Sequence, residues 1–330
     1  MTLKGATALV TGAAGFVGPH LARALAGCGA RVHGLGNDPP RGELPLEGWH
    51  AADLRDPEAL ASVLTAVRPD FVVHLAGQSS AARSFERPIE TFEINALGTW
   101  NLLEAVRRVA PRARTLVIGT SEVYGPQPEG SRVSEAAPFR PVSPYALSKA
   151  AADAFAELAG ERHGLDVVRT RSFGHSGPGQ GPRFSVPSWA QQVAAIEAGD
   201  AEPVIRVGNL EVTRDLSDVR DVARAYVALL ERGRSGETYN VCRGAGVKLA
   251  EVVKMLVGRA RVRVGIEVDP GRVRAADVVY LVGDPSKIER ETGWRAEIEL
   301  ERTLDEVLEE WRVKRVERRL DAPQQKAEGV

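Results

Sequence analysis

Residues 6–18 read ATALVTGAAGFVG: a short β-rich apolar run, a turn with glycines at 12, 15 and 18, and the start of a helical pattern. In a strand–turn–helix unit the first glycine permits the tight turn and the second lets the backbone approach a pyrophosphate. The third lets the helix pack close to the strand, and the helix N-terminus offers free N–H groups and the positive end of its dipole. This stretch predicts a dinucleotide site that uses Gly12, Gly15, Phe16, Val17 and Gly18.

Downstream, apolar runs at 30–35, 70–76, 114–120 and 165–172 alternate with segments of three- and four-residue periodicity, such as PEALASVLTAV (57–67) and PYALSKAAADAFAELAGERHG (144–164). That alternation predicts βαβ units and an α/β fold, a Rossmann-type doubly wound parallel sheet. Pro57 followed by Glu58 marks a helix start, and Gly164 marks a helix stop. The pattern breaks at GHSGPGQGPRFSVP (174–187), whose Gly and Pro predict an irregular surface loop over a site. Beyond it the chain predicts a helix over 188–199, a strand near 204–207, a capped helix within 215–233 and a strand at 239–242. Further helices are expected near 248–259, 285–293 and 301–319. The expected division is a dinucleotide domain of 1–172 plus about 213–241 and a smaller C-terminal α/β substrate domain of about 173–212 plus 242–320. The polar tail 321–330 is expected to fray.

The chain of 330 residues has 43% hydrophobic and 26% charged residues, ordinary for a globular protein. Its 44 acidic and 43 basic residues nearly cancel, which points away from nucleic-acid and membrane partners. Cys28 and Cys242 lack metal-ligand spacing, the six histidines are scattered, and no apolar run reaches membrane-spanning length. No metal is expected, and two thiols in a long chain fit a reducing cytoplasm.

Two further stretches carry chemistry. SPYALSK places Tyr145 and Lys149 four apart near a helix start, on one face, where an ammonium is expected to lower the phenol pKa. GTSEVYG (119–125) puts Thr120, Ser121 and Glu122 at a strand end. A hydroxyl there suits hydride chemistry, while a carboxylate suits proton abstraction from carbon. At the end of the second strand Gly36 stands where an acidic ribose ligand is expected, followed by Asn37 and Asp38, with Arg41 nearby. The missing carboxylate favours NADP(H), and Asp38 reaching the ribose would favour NAD(H).

Glycine turn, Thr/Ser strand end and YxxxK, in that order, resemble the extended short-chain dehydrogenase/reductase family. Asp53-Leu54, HLAG (74–77), NALGTWNLLEA (95–105) and TSEVYG add to the likeness, which spans residues 2 to about 313. The resemblance implies that Asp53 and Leu54 lie near the adenine and that Leu75, Ala76, Gly77 and Phe173 line the cofactor. It implies that Thr120 binds a sugar 4-oxygen, and that Tyr145 and Lys149 relay a proton. The C-terminal half is most similar to GDP-4-keto-6-deoxymannose reductases and their relatives, the GDP-mannose 4,6-dehydratases. The similar stretches are 171–192, 207–226, 239–252 and 272–294. This implies a GDP-linked sugar gripped by Arg183, Arg214 and Arg274, with Gln78, Ser79, Gly174, His175, Phe184, Val186, Val207, Asn209 and Asp277 around it. One departure is Gly174, where the family loop carries Asn, so that a water or His175 substitutes or the substrate differs. The loop GHSGPGQGPR is similar to the reductase form, while Glu122 leaves dehydration open. Members commonly dimerise through helices matching 89–109 and 144–163, which implies a homodimer through faces such as Ala150, Ala154 and Leu158.

Overall fold

The computed structural model describes residues 2–273 and 278–327. Six strands arise by residue 172: β1 (Thr7–Thr11), β2 (Arg31–Gly36), β3 (Gly48–Ala51), β4 (Phe71–His74), β5 (Arg114–Thr120) and β6 (Val167–Ser172). Three more follow: β7 (Gly174–Ser176), β8 (Val204–Val207) and β9 (Thr213–Asp218). The chain then returns with β10 (Thr238–Val241) and ends its strands with β11 (Gly246–Lys248), β12 (Gly265–Val268) and β13 (Tyr280–Leu281). The main sheet has seven strands in the order β10-β6-β5-β4-β1-β2-β3, and all its pairings are parallel.

Strand β1 shows why its sequence reads as an unbroken apolar run. Ala8 and Val10 pack against the helices Gly18–Gly27 and Val219–Arg232, through Leu21, Leu25, Val222, Tyr226 and Leu229. Leu9 packs on the other face with Leu60, Leu64, Leu102 and Val106 from the helices Pro57–Val67 and Gly98–Val109. A parallel sheet covered on both faces leaves no polar alternation. The direction of strand addition reverses between β1 and β4, which opens a crevice at the carboxyl edge of the sheet.

A second core gathers Trp189 and Val193 of the helix Ser185–Glu197, Ile205 and Val207 of β8, and Val252 and Leu256 of the helix Leu249–Val257. Leu304 and Leu308 of the C-terminal helix Leu300–Ala327 close it. β9 carries β11, β13 and β7, and β8 pairs with β12.

Some expectations are corrected. Residues 174–187 are not wholly irregular: β7 adds to β9 in parallel, and a helix begins at Ser185. Residues 215–218 form strand before Asp218 caps the next helix by accepting from Arg220 N. The strand β3 (GWHA) was not anticipated, and Glu93–Leu97 winds as a π-helix between two α-helical segments. The last helix runs on to Ala327, into the segment read as a polar tail.

Candidate active site

The glycine turn closes between β1 and the helix Gly18–Gly27. Gly12 has φ +68°, and a Cβ there would stand 2.8 Å from both the N and Cα of Ala76. At Gly18 a Cβ would meet the Ala13 carbonyl oxygen at 2.2 Å, so only glycine lets the helix sit this near the turn. Gly15 N donates to the Gly12 carbonyl at 2.9 Å, which tightens the loop. The helix starts with amides that have no intrahelical acceptor. This is a cradle into which a pyrophosphate fits. Phe16, inside it, stacks on His175 with centroids 5.9 Å apart, and His20 Nε2 donates to the Pro178 carbonyl at 2.9 Å. The segment 174–180 is thereby fastened beside the turn. His175 Nδ1–H also donates to the Phe173 carbonyl at 2.9 Å, which holds the ring against Phe16.

Thr120 closes β5 at the same edge, and its hydroxyl accepts from Glu122 N at 3.3 Å and lies close enough to the Tyr145 phenol to favour its ionised form. Tyr145 and Lys149 lie in the first turns of the helix Pro144–His163, capped by Ser143, whose hydroxyl accepts from Ala146 N. Lys149 Nζ donates to the Ile118 carbonyl at 2.6 Å, and burial pushes its pKa down to about 8 against the opposing pull of Asp153. The expected lowering of the Tyr145 pKa is overturned. Burial raises it, the Glu122 carboxylate raises it further, and the Thr120 hydroxyl only partly opposes them. Desolvation of the phenolate dominates, and burial disfavours the charged form of Lys149 as well. Ser121 is buried at the head of the short 3₁₀ turn Ser121–Tyr124, with Glu122 beside it.

A polar chain that sequence reading left without a role joins the turn to this helix. Thr11 Oγ1 donates to His74 Nδ1 at 2.8 Å and accepts from Ala76 N at 3.1 Å. His74 Nε2 donates to Thr99 Oγ1 at 3.0 Å, whose own hydrogen goes to the Asn95 carbonyl. These roles fix one neutral tautomer, consistent with a pKa lowered to about 3 by burial and by Lys149. Asn95, in the π-helix, donates to Ser148 Oγ and the Gln78 carbonyl and accepts from Gln78 N, and Ser148 Oγ donates to the Tyr145 carbonyl. A π-helical turn is frequent at functional sites. The available signal was a histidine inside an apolar strand, because a buried polar group needs partners.

At the end of β2, a Cβ on Gly36 would stand 3.1 Å from Cη2 of Trp49, so the indole limits what this position accepts. Asn37 and Asp38 are exposed beyond it. The Asp53 carboxylate is held by Arg55 at 2.6 Å, while Leu54 is buried against Gly98. Leu75 and Ala76 are half-buried and Gly77 is exposed beside Asn95; Phe173 is buried.

Of the residues expected around a substrate, Arg183 and Ser79 are exposed, and Phe184 is half-buried at the N-cap of the helix Ser185–Glu197. Gln78 spends its amide on Ser80 and Thr91. Asn209 Oδ1 accepts from Glu211 N, and half-buried Arg214 donates to the Thr213 carbonyl. Val186 and Val207 are buried in the second apolar core. Arg274 and Asp277 lie outside the described residues. A cavity of about 550 Å³ opens at the opposite rim of the sheet among Thr7, Arg31, His33, Glu47 and His50, and none of the expected site residues lines it. Among the described residues no cluster of His, Cys, Asp and Glu could hold a metal, and no helix is long and apolar enough to cross a membrane.

A parallel sheet with a glycine turn and a Thr–Tyr–Lys set at its carboxyl edge defines an extended short-chain dehydrogenase/reductase. Residues 9–307 match the family model for GDP-mannose 4,6 dehydratase, and the chain belongs to that family. It is 36% identical over 303 residues to the GDP-6-deoxy-D-mannose reductase of Pseudomonas aeruginosa, covering 92% of this chain and 96% of that protein. It is 31% identical over 346 residues to the GDP-mannose 4,6-dehydratase of Vibrio cholerae, covering 91% and 92%. The solved structure of RMD from Pseudomonas aeruginosa complexed with NADPH superposes with a TM-score of 0.82 at 34% identity, covering 94% of this chain and 99% of that one.

Proposed function

We propose that the protein is an NAD(P)H-dependent reductase of the 4-keto group of a GDP-linked 4-keto-6-deoxyhexose, giving a GDP-6-deoxyhexose. The observation that carries this reading is the pairing of the Thr120 hydroxyl with the Tyr145 phenol at the sheet edge beside the glycine turn. A bound nicotinamide, NADP(H) or NAD(H), supplies the hydride. The Thr120 hydroxyl orients the carbonyl oxygen, and Tyr145 gives it a proton as it becomes an alkoxide. A phenol whose pKa is raised suits this role, because it holds its proton at neutral pH. Lys149, charged below about pH 8, favours the phenolate left behind.

The sign of the pH dependence follows. Raising the pH through about 8 removes the Lys149 proton, so kcat/KM for reduction is expected to fall on the alkaline side while Tyr145 remains protonated. A pH–rate profile checks this, and a flat profile to pH 9.5 (about one and a half units above) would exclude Lys149 from the relay.

Residues 1–172 and about 213–241 would hold the dinucleotide, and about 173–212 with 242–320 the nucleotide sugar. The exposure of Arg183 and the half-buried setting of Arg214 suit bidentate contact with a diphosphate. The second reading is dehydration of GDP-mannose, and the observation favouring it is Glu122, near enough to act on Tyr145. Incubation with GDP-4-keto-6-deoxymannose and NADPH should oxidise the cofactor. GDP-mannose alone should give no 4-keto sugar, and its appearance would establish the dehydratase.

A homodimer is part of this proposal. Phe85, Ile89, Leu97, Leu147 and Leu158 are exposed on the helices between 81 and 163, where a second copy would bury them. Ala154 is exposed with them, but Ala150 is buried within its own chain and leaves the expected contact set. A cytoplasmic setting fits the free thiols of Cys28 and Cys242.

A further inference from the structure

Asp215 has no part in the chemistry above, yet it is 1% exposed and carries a carboxylate. Oδ1 accepts from Arg243 N at 2.8 Å, and Oδ2 accepts from Gly244 N at 2.9 Å and Gly283 N at 3.3 Å. These donors lie after β10 and after β13, far from Asp215 in sequence. They compensate a charge that burial would otherwise expel.

The same residue shapes its other side. β7 pairs with β9 in the register Gly174↔Leu216, and a Cβ at Gly174 would stand 2.9 Å from both the Asp215 carbonyl oxygen and Leu216 Cδ2. At Gly283 a Cβ would meet Cys242 Sγ at 2.5 Å and Phe173 Cζ at 2.7 Å. The segments 173–176, 213–218, 242–246 and 281–284 therefore converge with no spare volume, and Asp215 bonds to two of them. Its chain neighbour is Arg214.

We propose that Asp215 is a positioning residue, an anionic clamp that fixes β9 and Arg214 against these segments so that the nucleotide-sugar site is assembled before the ligand arrives. The proposal rests on the reading of Arg214 as a substrate contact. Protonation would convert one acceptor oxygen into a donor facing an N–H, which opens the clamp. Burial raises the Asp215 pKa to about 6, opposed by the three N–H donors and by Arg243. The other titratable groups on the packed segments are His175, Arg214, Asp218, Cys242, Arg243 and Asp284, with Glu135 close to Cys242; burial lowers the His175 pKa, so that ring stays neutral as pH falls through the same range.

Asp215→Asn mimics the protonated state with little change of shape. It is expected to raise KM for the keto sugar, and Kd for GDP by titration calorimetry, about tenfold, with kcat within about twofold and NADPH affinity unchanged. In the unmodified protein KM should rise as pH falls through about 6, and this rise should vanish in the variant. A structural role alone would lower kcat and NADPH affinity together. Should the variant fail to fold, the pH dependence of KM in the unmodified protein decides. GDP binding that is normal in both proteins, or KM constant from pH 5 to 8, overturns the clamp (a span of about one unit below and two above the titration). Failure of the unmodified protein to bind GDP at all while it binds NADPH overturns the substrate reading, and the clamp with it.

Discussion

Tyr145→Phe is expected to lower the rate of keto-sugar reduction by at least about two orders of magnitude, with NADPH binding retained. The substitution removes one oxygen atom from a buried site. That oxygen is the group paired with Thr120, and its proton is the one available where a carbonyl would become an alkoxide. The ring stays, so helix packing and the chain from Asn95 through Ser148 to the Tyr145 carbonyl are undisturbed. Stopped-flow measurement of nicotinamide oxidation reads the loss directly. Turnover within about fivefold of the unmodified protein would remove the phenol from the proton relay.

Asp153→Ala is expected to cost about 3–5 kcal/mol of stability, because it breaks a buried ion network by removing its centre. Asp153 lies one turn beyond Lys149, with its side chain 4% exposed. Oδ1 accepts from Arg169 Nη1 at 2.9 Å, and Oδ2 accepts from Arg171 Nε at 3.2 Å. Arg171 would keep the Tyr124 hydroxyl, the Glu135 carbonyl and the face of Phe139 at 4.4 Å, but no carboxylate. Arg169 would keep Glu157, a half-exposed partner. Denaturant unfolding measures the loss, and a cost below about 1 kcal/mol would show that the two guanidinium groups are solvated by other means. The same change removes the charge that supports protonation of Lys149, so the alkaline limb of the pH–rate profile should move below about pH 8.

Of the seven strands read from sequence, six belong to the main sheet, because a strand buried on both faces has to be apolar throughout, and the seventh, β8, pairs with β12. Gly12 and Gly18 were legible for a similar reason: a backbone at φ +68°, or one whose Cβ would stand 2.2 Å from a carbonyl oxygen, excludes other residues. Less of the second lobe was readable. β9 spells TRDLSD, whose polar residues look like a helix cap; Asp218 is one, yet Asp215 is buried in a strand and satisfied by partners distant in sequence. The direction of the Tyr145 shift was also hidden. Four-residue spacing shows that Tyr145 and Lys149 share a face, but it does not say how little water reaches either one. Gly174 looked like a lost ligand, whereas its position is filled by the neighbouring strand.

The route of the chain has a consequence for its synthesis. β10 closes the main sheet beside β6, but 65 residues separate Ser172 from Thr238, and most of that interval builds other structure. Until residue 241 has left the ribosome, β6 presents an unpaired row of backbone donors and acceptors, and the pocket for Tyr239 and Val241 stands empty. A growing chain therefore passes through a stage with an exposed adhesive edge. Pauses in translation between these points would lengthen the period in which nascent chains can pair with one another.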